Sequence, residues 1–124
     1  MTAVERLCGA IPRHSSVLVL DKVAARAFMQ VIRGACDVPA GMVAGTAPSE
    51  VSQIIGGIER AGRRPVLLAT RASELVPYGA PSSQIVNLAT QQDAHLLTRP
   101  PTSTWPVHYV LWMSSPGGGT VPGA

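Results

Sequence analysis

The sequence predicts an α/β protein built as a three-layer sandwich, with helices on both faces of a mostly parallel sheet and an antiparallel hairpin at one edge. Continuous apolar runs at Ser16–Leu20 and Pro65–Ala69 are typical of strands that are buried on both faces. Helical patterns of about 10–15 residues separate the early strands, which favours parallel pairing through right-handed crossovers. The last two candidate strands have no long helix between them, so we expect them to pair antiparallel.

The first two helices have recognisable starts. Thr2 and Glu5 form a capping-box pattern at the beginning of a short helix over Thr2–Ile11. After the first strand, a stripe of apolar residues at helical spacing predicts a second helix from about Lys22 to Ala35. Asp21 directly precedes it, and an N-cap is the favoured role for an aspartate at that position.

The rest of the chain divides into shorter elements, and residues 84–90 are open to either a strand or a short helix. The strand at the end should place alternate residues on opposite faces of the sheet. The further predicted elements are a weak strand at Ala40–Ala44, a helix from Pro48 to about Ala61, a helical turn at Ala72–Val76, a segment at Gln84–Thr90, a strand or an extension of that segment at Ala94–Thr98, and a strand at Val107–Met113.

Composition indicates one folded domain over residues 1–113. Of the 124 residues, 46% are hydrophobic and 14% are charged, which is too apolar for an intrinsically disordered chain. The longest apolar run, Val107–Met113, is far shorter than the roughly 18 residues of a membrane span, and the first ten residues lack the apolar core of a secretory signal. Residues 114–124, rich in Gly, Pro and Ser, are predicted to form a flexible tail.

The basic residues argue against a nucleic-acid partner. The formal charge is +3, and all the basic residues except Lys22 are arginines spread along the chain. Only Arg60, Arg63 and Arg64 cluster, and no aromatic residue is interleaved with them for base stacking. The favoured interpretation is a solvated helix end, where the cations face the carboxyl-terminal carbonyl groups.

Motifs for catalysis or cofactor binding are absent from the sequence. It has no G-x-G-x-x-G or G-x-x-x-x-G-K loop, no G-x-S-x-G elbow, and no histidine or cysteine spacing of a metal site. We therefore expect no cofactor, no metal and no catalysis by this chain alone. A small-molecule ligand would bind at the carboxyl ends of the strands, in the loops after Leu20, Ala44 and Ala69, which makes Asp21 and Arg71 candidate ligand-binding residues.

The two cysteines, Cys8 and Cys36, flank predicted elements rather than lying in strands. Cys8 is on the first helix and Cys36 follows the second, 28 positions later. A disulfide closing that loop would stabilise the fold by about 3–4 kcal/mol in the chain-entropy treatment. A pair of free thiols in a reducing cytosol is the alternative, and the residues alone leave both possibilities open.

Four stretches together resemble the carboxyl-terminal soluble domain of large multi-spanning membrane proteins from bacteria with GC-rich genomes. Those proteins are related to the GT-C glycosyltransferases, which use polyprenyl-phosphate sugars at the outer face of the membrane. The likeness covers residues 4–113 and rests on loose motifs. The four stretches are Val4–Pro12, Val17–Leu20, Val31–Pro39 and Ala61–Ala69.

The resemblance implies a domain that follows the last transmembrane helix, on the extracytoplasmic side of the cell membrane. An oxidising location would favour a disulfide between Cys8 and Cys36. Catalysis in this family uses acidic residues in an early extracytoplasmic loop of the membrane part, and this chain contains no such loop. The implied function is a non-catalytic accessory domain whose partners are the transmembrane part of the same protein and a glycan or polyprenyl-linked sugar.

Two roles would fit such a domain. It could contact the glycan acceptor, and Trp105, in a proline-rich loop, is the aromatic residue expected to be exposed for stacking on a sugar. Asp21 and Arg71 would supply hydrogen bonds. It could instead cap the catalytic membrane part, which would require an exposed apolar patch.

A second hypothesis is a free-standing cytosolic α/β domain that binds a small molecule at the carboxyl ends of its strands. The first hypothesis predicts an oxidised pair of Cys8 and Cys36, without a pocket that holds perturbed acid or base groups. The second predicts free thiols and a concave pocket at the strand ends.

Overall fold

The computed structural model describes residues 2–22, 25–89, 93–98 and 107–113. Trp105 and the predicted tail at 114–124 lie outside these ranges. The described elements are α1 (Ala3–Ala10), β1 (Ser15–Val19), α2 (Ala25–Gly34), β2 (Ala40–Met42), α3 (Pro48–Arg60), β3 (Arg64–Ala69), α4 (Ala72–Leu75), a 3₁₀ turn (Val76–Tyr78), α5 (Ser82–Asn87), β4 (Asp93–Thr98) and β5 (His108–Met113).

The strands form one five-stranded sheet in the order β2-β1-β3-β5-β4. β1 pairs in parallel with β2 and β3, and β3 pairs in parallel with β5. β4 pairs antiparallel with β5 at the edge, so the predicted mostly parallel sheet with an antiparallel edge hairpin is confirmed. β5 lies between β3 and β4 in the sheet, although it follows β4 in the sequence.

Alternate residues of each central strand pack against opposite helical layers, which confirms the three-layer sandwich. One face packs beneath α1 and α2, where the Phe28 ring meets the edge of Trp112 at a centroid distance of 6.1 Å. The other face packs beneath α3, α4 and α5 around the fully buried Tyr109, whose hydroxyl donates to the carbonyl of Tyr78 at 2.6 Å. Tyr109 and Trp112 are therefore core residues.

The local predictions differ in how well they hold. The Thr2 hydroxyl accepts a hydrogen bond from the Glu5 amide at 3.1 Å, so the predicted cap of α1 is confirmed. The described part of α2 runs from Ala25 to Gly34, within the predicted range, and residues 82–87 form a short helix, one of the two alternatives left open for the segment at 84–90. On α3, Val51 and Ile55 are buried against the sheet, whereas Ile54 is 39% exposed.

Cys8 and Cys36 are adjacent, with their sulfur atoms at bonding distance and their Cα atoms 5.0 Å apart. The pair connects α1 to the turn that follows α2, on one face of the sheet. Among the described residues, no helix is both long and apolar enough to cross a bilayer.

His108 gives the fold an expected sensitivity to acid. Its Nδ1 atom is buried without a hydrogen-bond partner, and burial, aided by the Arg64 charge, lowers the pKa of the imidazole from its usual 6.5. The unfolded chain therefore takes up the proton more readily than the folded chain does. The contribution of neutral His108 to the free energy of unfolding is fully present above pH 6.5 and is lost as the pH falls through the folded-state pKa. We expect H108Q to flatten the decrease in stability below pH 6.5, measured by urea unfolding at several pH values. An unchanged slope would contradict this assignment.

Candidate functional site

The connections that leave the carboxyl ends of the neighbouring strands β1 and β3 go to opposite faces of the sheet. After β1 the chain leads to α2 on one face, and after β3 it leads to α4 on the opposite face. Such a divergence between neighbouring parallel strands opens a crevice, which is where open α/β sheets bind their ligands. Asp21 and Thr70 follow these two strands and so lie at this switch point.

Asp21 is anchored by β3 across this crevice. The Leu20 amide donates to the Leu68 carbonyl at 2.8 Å, which extends the pairing of the two strands to the residue before Asp21. Asp21 is only 9% exposed, and its carboxylate accepts a hydrogen bond from the Thr70 hydroxyl. Asp21 therefore has a bond to the neighbouring strand end that the predicted capping role did not include.

Arg71 and Glu74 complete the cluster on the β3 side. The Arg71 Nε atom lies 3.3 Å from Oε1 of Glu74, one turn along α4, and the arginine side chain is 75% exposed. The other oxygen of Glu74, Oε2, is buried without a hydrogen-bond partner. Burial raises the pKa of Glu74, the Asp21 carboxylate raises it further, and Arg71 opposes both.

We call Asp21, Thr70, Arg71 and Glu74 the strand-end cluster. It combines a hydroxyl, a guanidinium and two carboxylates in one crevice, which is a hydrogen-bonding set suited to a polyhydroxylated or polar ligand. In the described part of the chain, no three histidine, cysteine or acidic side chains come together to hold a metal ion.

The structure thus brings Asp21 and Arg71, two of the predicted ligand-binding residues, into one cluster, while Trp105 lies outside the described residues. Sequence reasoning missed Glu74. The sequence signal for Glu74 was its position three residues after Arg71, within the predicted helical turn Ala72–Val76 that follows a buried strand.

Two cavities lie away from this crevice. One, of about 500 Å³, lies at the opposite edge of the sheet, where the segments before β1, β2 and β3 meet beside the cysteine pair. The other, of about 450 Å³, lies along α3 between Ser52 and Arg60. The larger cavity combines charged side chains with the cysteine sulfurs and is considered below.

Comparison with known protein families, curated proteins and solved structures found no match.

Proposed function

We propose that this chain is a non-catalytic extracytoplasmic accessory domain of a membrane glycosyltransferase-like protein related to the GT-C enzymes, as the sequence resemblance implies. The observation that carries the proposal is the adjacency of Cys8 and Cys36. Disulfides persist outside the cytoplasmic membrane, whereas cytosolic thiols are kept reduced. A bonded pair therefore favours the extracytoplasmic side.

The position of the pair supports a bonded state. Cys8 and Cys36 are both half-buried and belong to α1 and to the turn after α2. A bond between them ties two segments separated by 28 positions, with β1 and α2 between them. Two free thiols at the same place would stabilise the fold only through their packing. A disulfide also stabilises it by reducing the entropy of the unfolded chain.

The strand-end cluster supplies the contact with a sugar in this proposal. Arg71 is exposed and carries several donors for sugar hydroxyl groups, and the half-buried Glu74 holds its guanidinium through the 3.3 Å contact between Nε and Oε1. The partners are a glycan acceptor or polyprenyl-linked sugar and the transmembrane part of the same protein, at the cell membrane. Catalysis belongs to that membrane part.

Lys22 offers a direct test of location, because it is the sole lysine of the sequence and its side chain is exposed. Intact native cells are treated with a membrane-impermeant amine-reactive biotin, and the peptide containing Lys22 is analysed by mass spectrometry. We expect modified Lys22 in intact cells, while lysines of an abundant cytosolic protein stay unmodified. Modification of Lys22 only after lysis would overturn the proposal.

A second candidate function is a cytosolic domain that binds a small polar molecule in the crevice between β1 and β3. The observation that favours it is the raised pKa of Glu74 beside Asp21, since perturbed carboxyl groups cluster at binding and active sites. Labelling of Lys22 only after lysis, together with free Cys8 and Cys36, would select this function over the first.

A further inference from the structure

A cavity of about 500 Å³ lies at the amino-terminal edge of the sheet, away from the strand-end cluster. The segments that lead into the three parallel strands β1, β2 and β3 all contribute to its wall, and so do the sulfur-bearing residues Cys8 and Cys36. The volume is within the range of about 300–1,000 Å³ that is typical of small-molecule sites.

Arg63 is fixed at the rim of this cavity by the neighbouring strand. Its Nε and Nη2 atoms donate to the carbonyl oxygen of Ser15 at 3.2 and 2.7 Å, and the side chain is half-buried. These bonds use two of the five N–H donors that a guanidinium carries. Arg63 is therefore held toward β1, which differs from the solvated helix-end role that its clustering with Arg60 predicts.

The charged groups around the cavity favour an anion. Arg13 and Arg63 carry positive charge, Asp37 carries the one opposing negative charge among the lining residues, and the His14 ring adds a polar nitrogen pair. Arg13 is exposed, so its guanidinium is accessible from solvent. Two guanidinium groups near one opening provide the planar donors that phosphate and carboxylate oxygens accept.

Apolar groups complete the lining. Ile11 and Val38 line the same cavity together with the cysteine pair, so a ligand can rest its carbon skeleton there while its anionic group faces the arginines. This combination of an apolar surface with a small number of convergent polar groups is the usual make-up of a ligand pocket.

The backbone at the cavity adds a second, independent observation. His14 and Asp37 have φ values of +60° and +54°, and within the described ranges they are the non-glycine residues with positive φ. Both line this cavity, on different loops. Left-handed backbone at side-chain-bearing residues is costly and concentrates at ligand-binding loops.

We propose that this cavity binds a small organic oxyanion, a phosphate monoester or a metabolite with a free carboxylate, with Arg13 and Arg63 holding the anionic group. This cavity shares no residue with the strand-end cluster.

The first test uses glycerol 3-phosphate as the probe and glycerol as its uncharged control. Each is titrated into the oxidised, ¹⁵N-labelled full chain, and the backbone amide resonances are followed. We expect saturable shifts at Arg13, His14, Asp37 and Arg63 with glycerol 3-phosphate, competition by inorganic phosphate, and none with glycerol. Shifts that are absent, or that are spread over all exposed arginines, would overturn the proposal.

Three variants separate a specific site from general charge. R13Q should weaken binding about tenfold, the effect of losing one charge-assisted hydrogen bond. R60Q is the matched control, because Arg60 ends α3 at the same edge of the sheet but lines the other cavity. D37N should tighten binding about threefold by removing the opposing charge, a modest Coulomb effect at an exposed site. Equal weakening by R13Q and R60Q would contradict the assignment.

Discussion

Replacing both Cys8 and Cys36 with alanine should lower the free energy of unfolding by about 3.5 kcal/mol under oxidising conditions. The bond closes a loop across 28 positions, so its loss returns conformational entropy to the unfolded chain. The loss of packing is small in comparison, because both side chains are half-buried. Urea unfolding of the oxidised wild type and the double variant measures the difference.

The reduced wild type is the control for this prediction. It should unfold at nearly the same urea concentration as the C8A/C36A double variant, because both lack the same crosslink and differ only by two sulfur atoms. A difference below about 1 kcal/mol between the oxidised wild type and the double variant would show that the pair does not constrain the chain.

Replacing Thr70 with valine should cost about 2 kcal/mol, since hydrogen bonds to charged groups contribute about 1.5–3 kcal/mol. Valine keeps the shape of threonine but removes the hydroxyl that donates to the Asp21 carboxylate. Asp21 is only 9% exposed, so water replaces that donor poorly. The measurement is urea unfolding of the wild type and T70V at pH 7.

Two further variants make this prediction specific. T98V is the matched control, because Thr98 is exposed on the edge strand β4, and it should change stability by less than about 0.5 kcal/mol. T70S retains the hydroxyl and should recover most of the loss. Equal effects of T70V and T98V would contradict the role of the Asp21–Thr70 bond in holding the two strand ends together.

The central layer of the fold was predictable because burial on both faces leaves a continuous apolar run in the sequence. The runs Ser16–Leu20 and Pro65–Ala69 correspond to β1 and β3 within one residue at each end. Alternation along Val107–Met113 predicts the two faces of β5, and Tyr109 and Trp112 confirm it by packing on opposite sides of the sheet.

The second half of the fold was less predictable, since its elements are short and their type depends on tertiary contacts. Residues 82–87 form α5, which buries Ile85 against the sheet, and a single buried apolar position in so short a segment does not distinguish a helix from a strand. The position of β5 between β3 and β4 depends on pairing between distant segments, which local patterns do not encode.

The candidate sites were likewise only partly predictable from the sequence. Asp21 and Arg71 were predictable because they directly follow buried strands, and the carboxyl ends of parallel strands meet at one edge. Glu74 gains its significance from burial and from the nearby charge of Asp21, neither of which is visible in the sequence. The cavity between Arg13 and Arg63 forms from several loops, so no single motif marks it.

The most direct test of the proposed location is the thiol state of the protein in its native cells. The cells are quenched with acid and the free thiols alkylated, and the peptides containing Cys8 and Cys36 are then analysed by mass spectrometry before and after reduction. Our account predicts that both cysteines escape alkylation until they are reduced. Two alkylated thiols without reduction would contradict the extracytoplasmic assignment and favour a cytosolic binding domain.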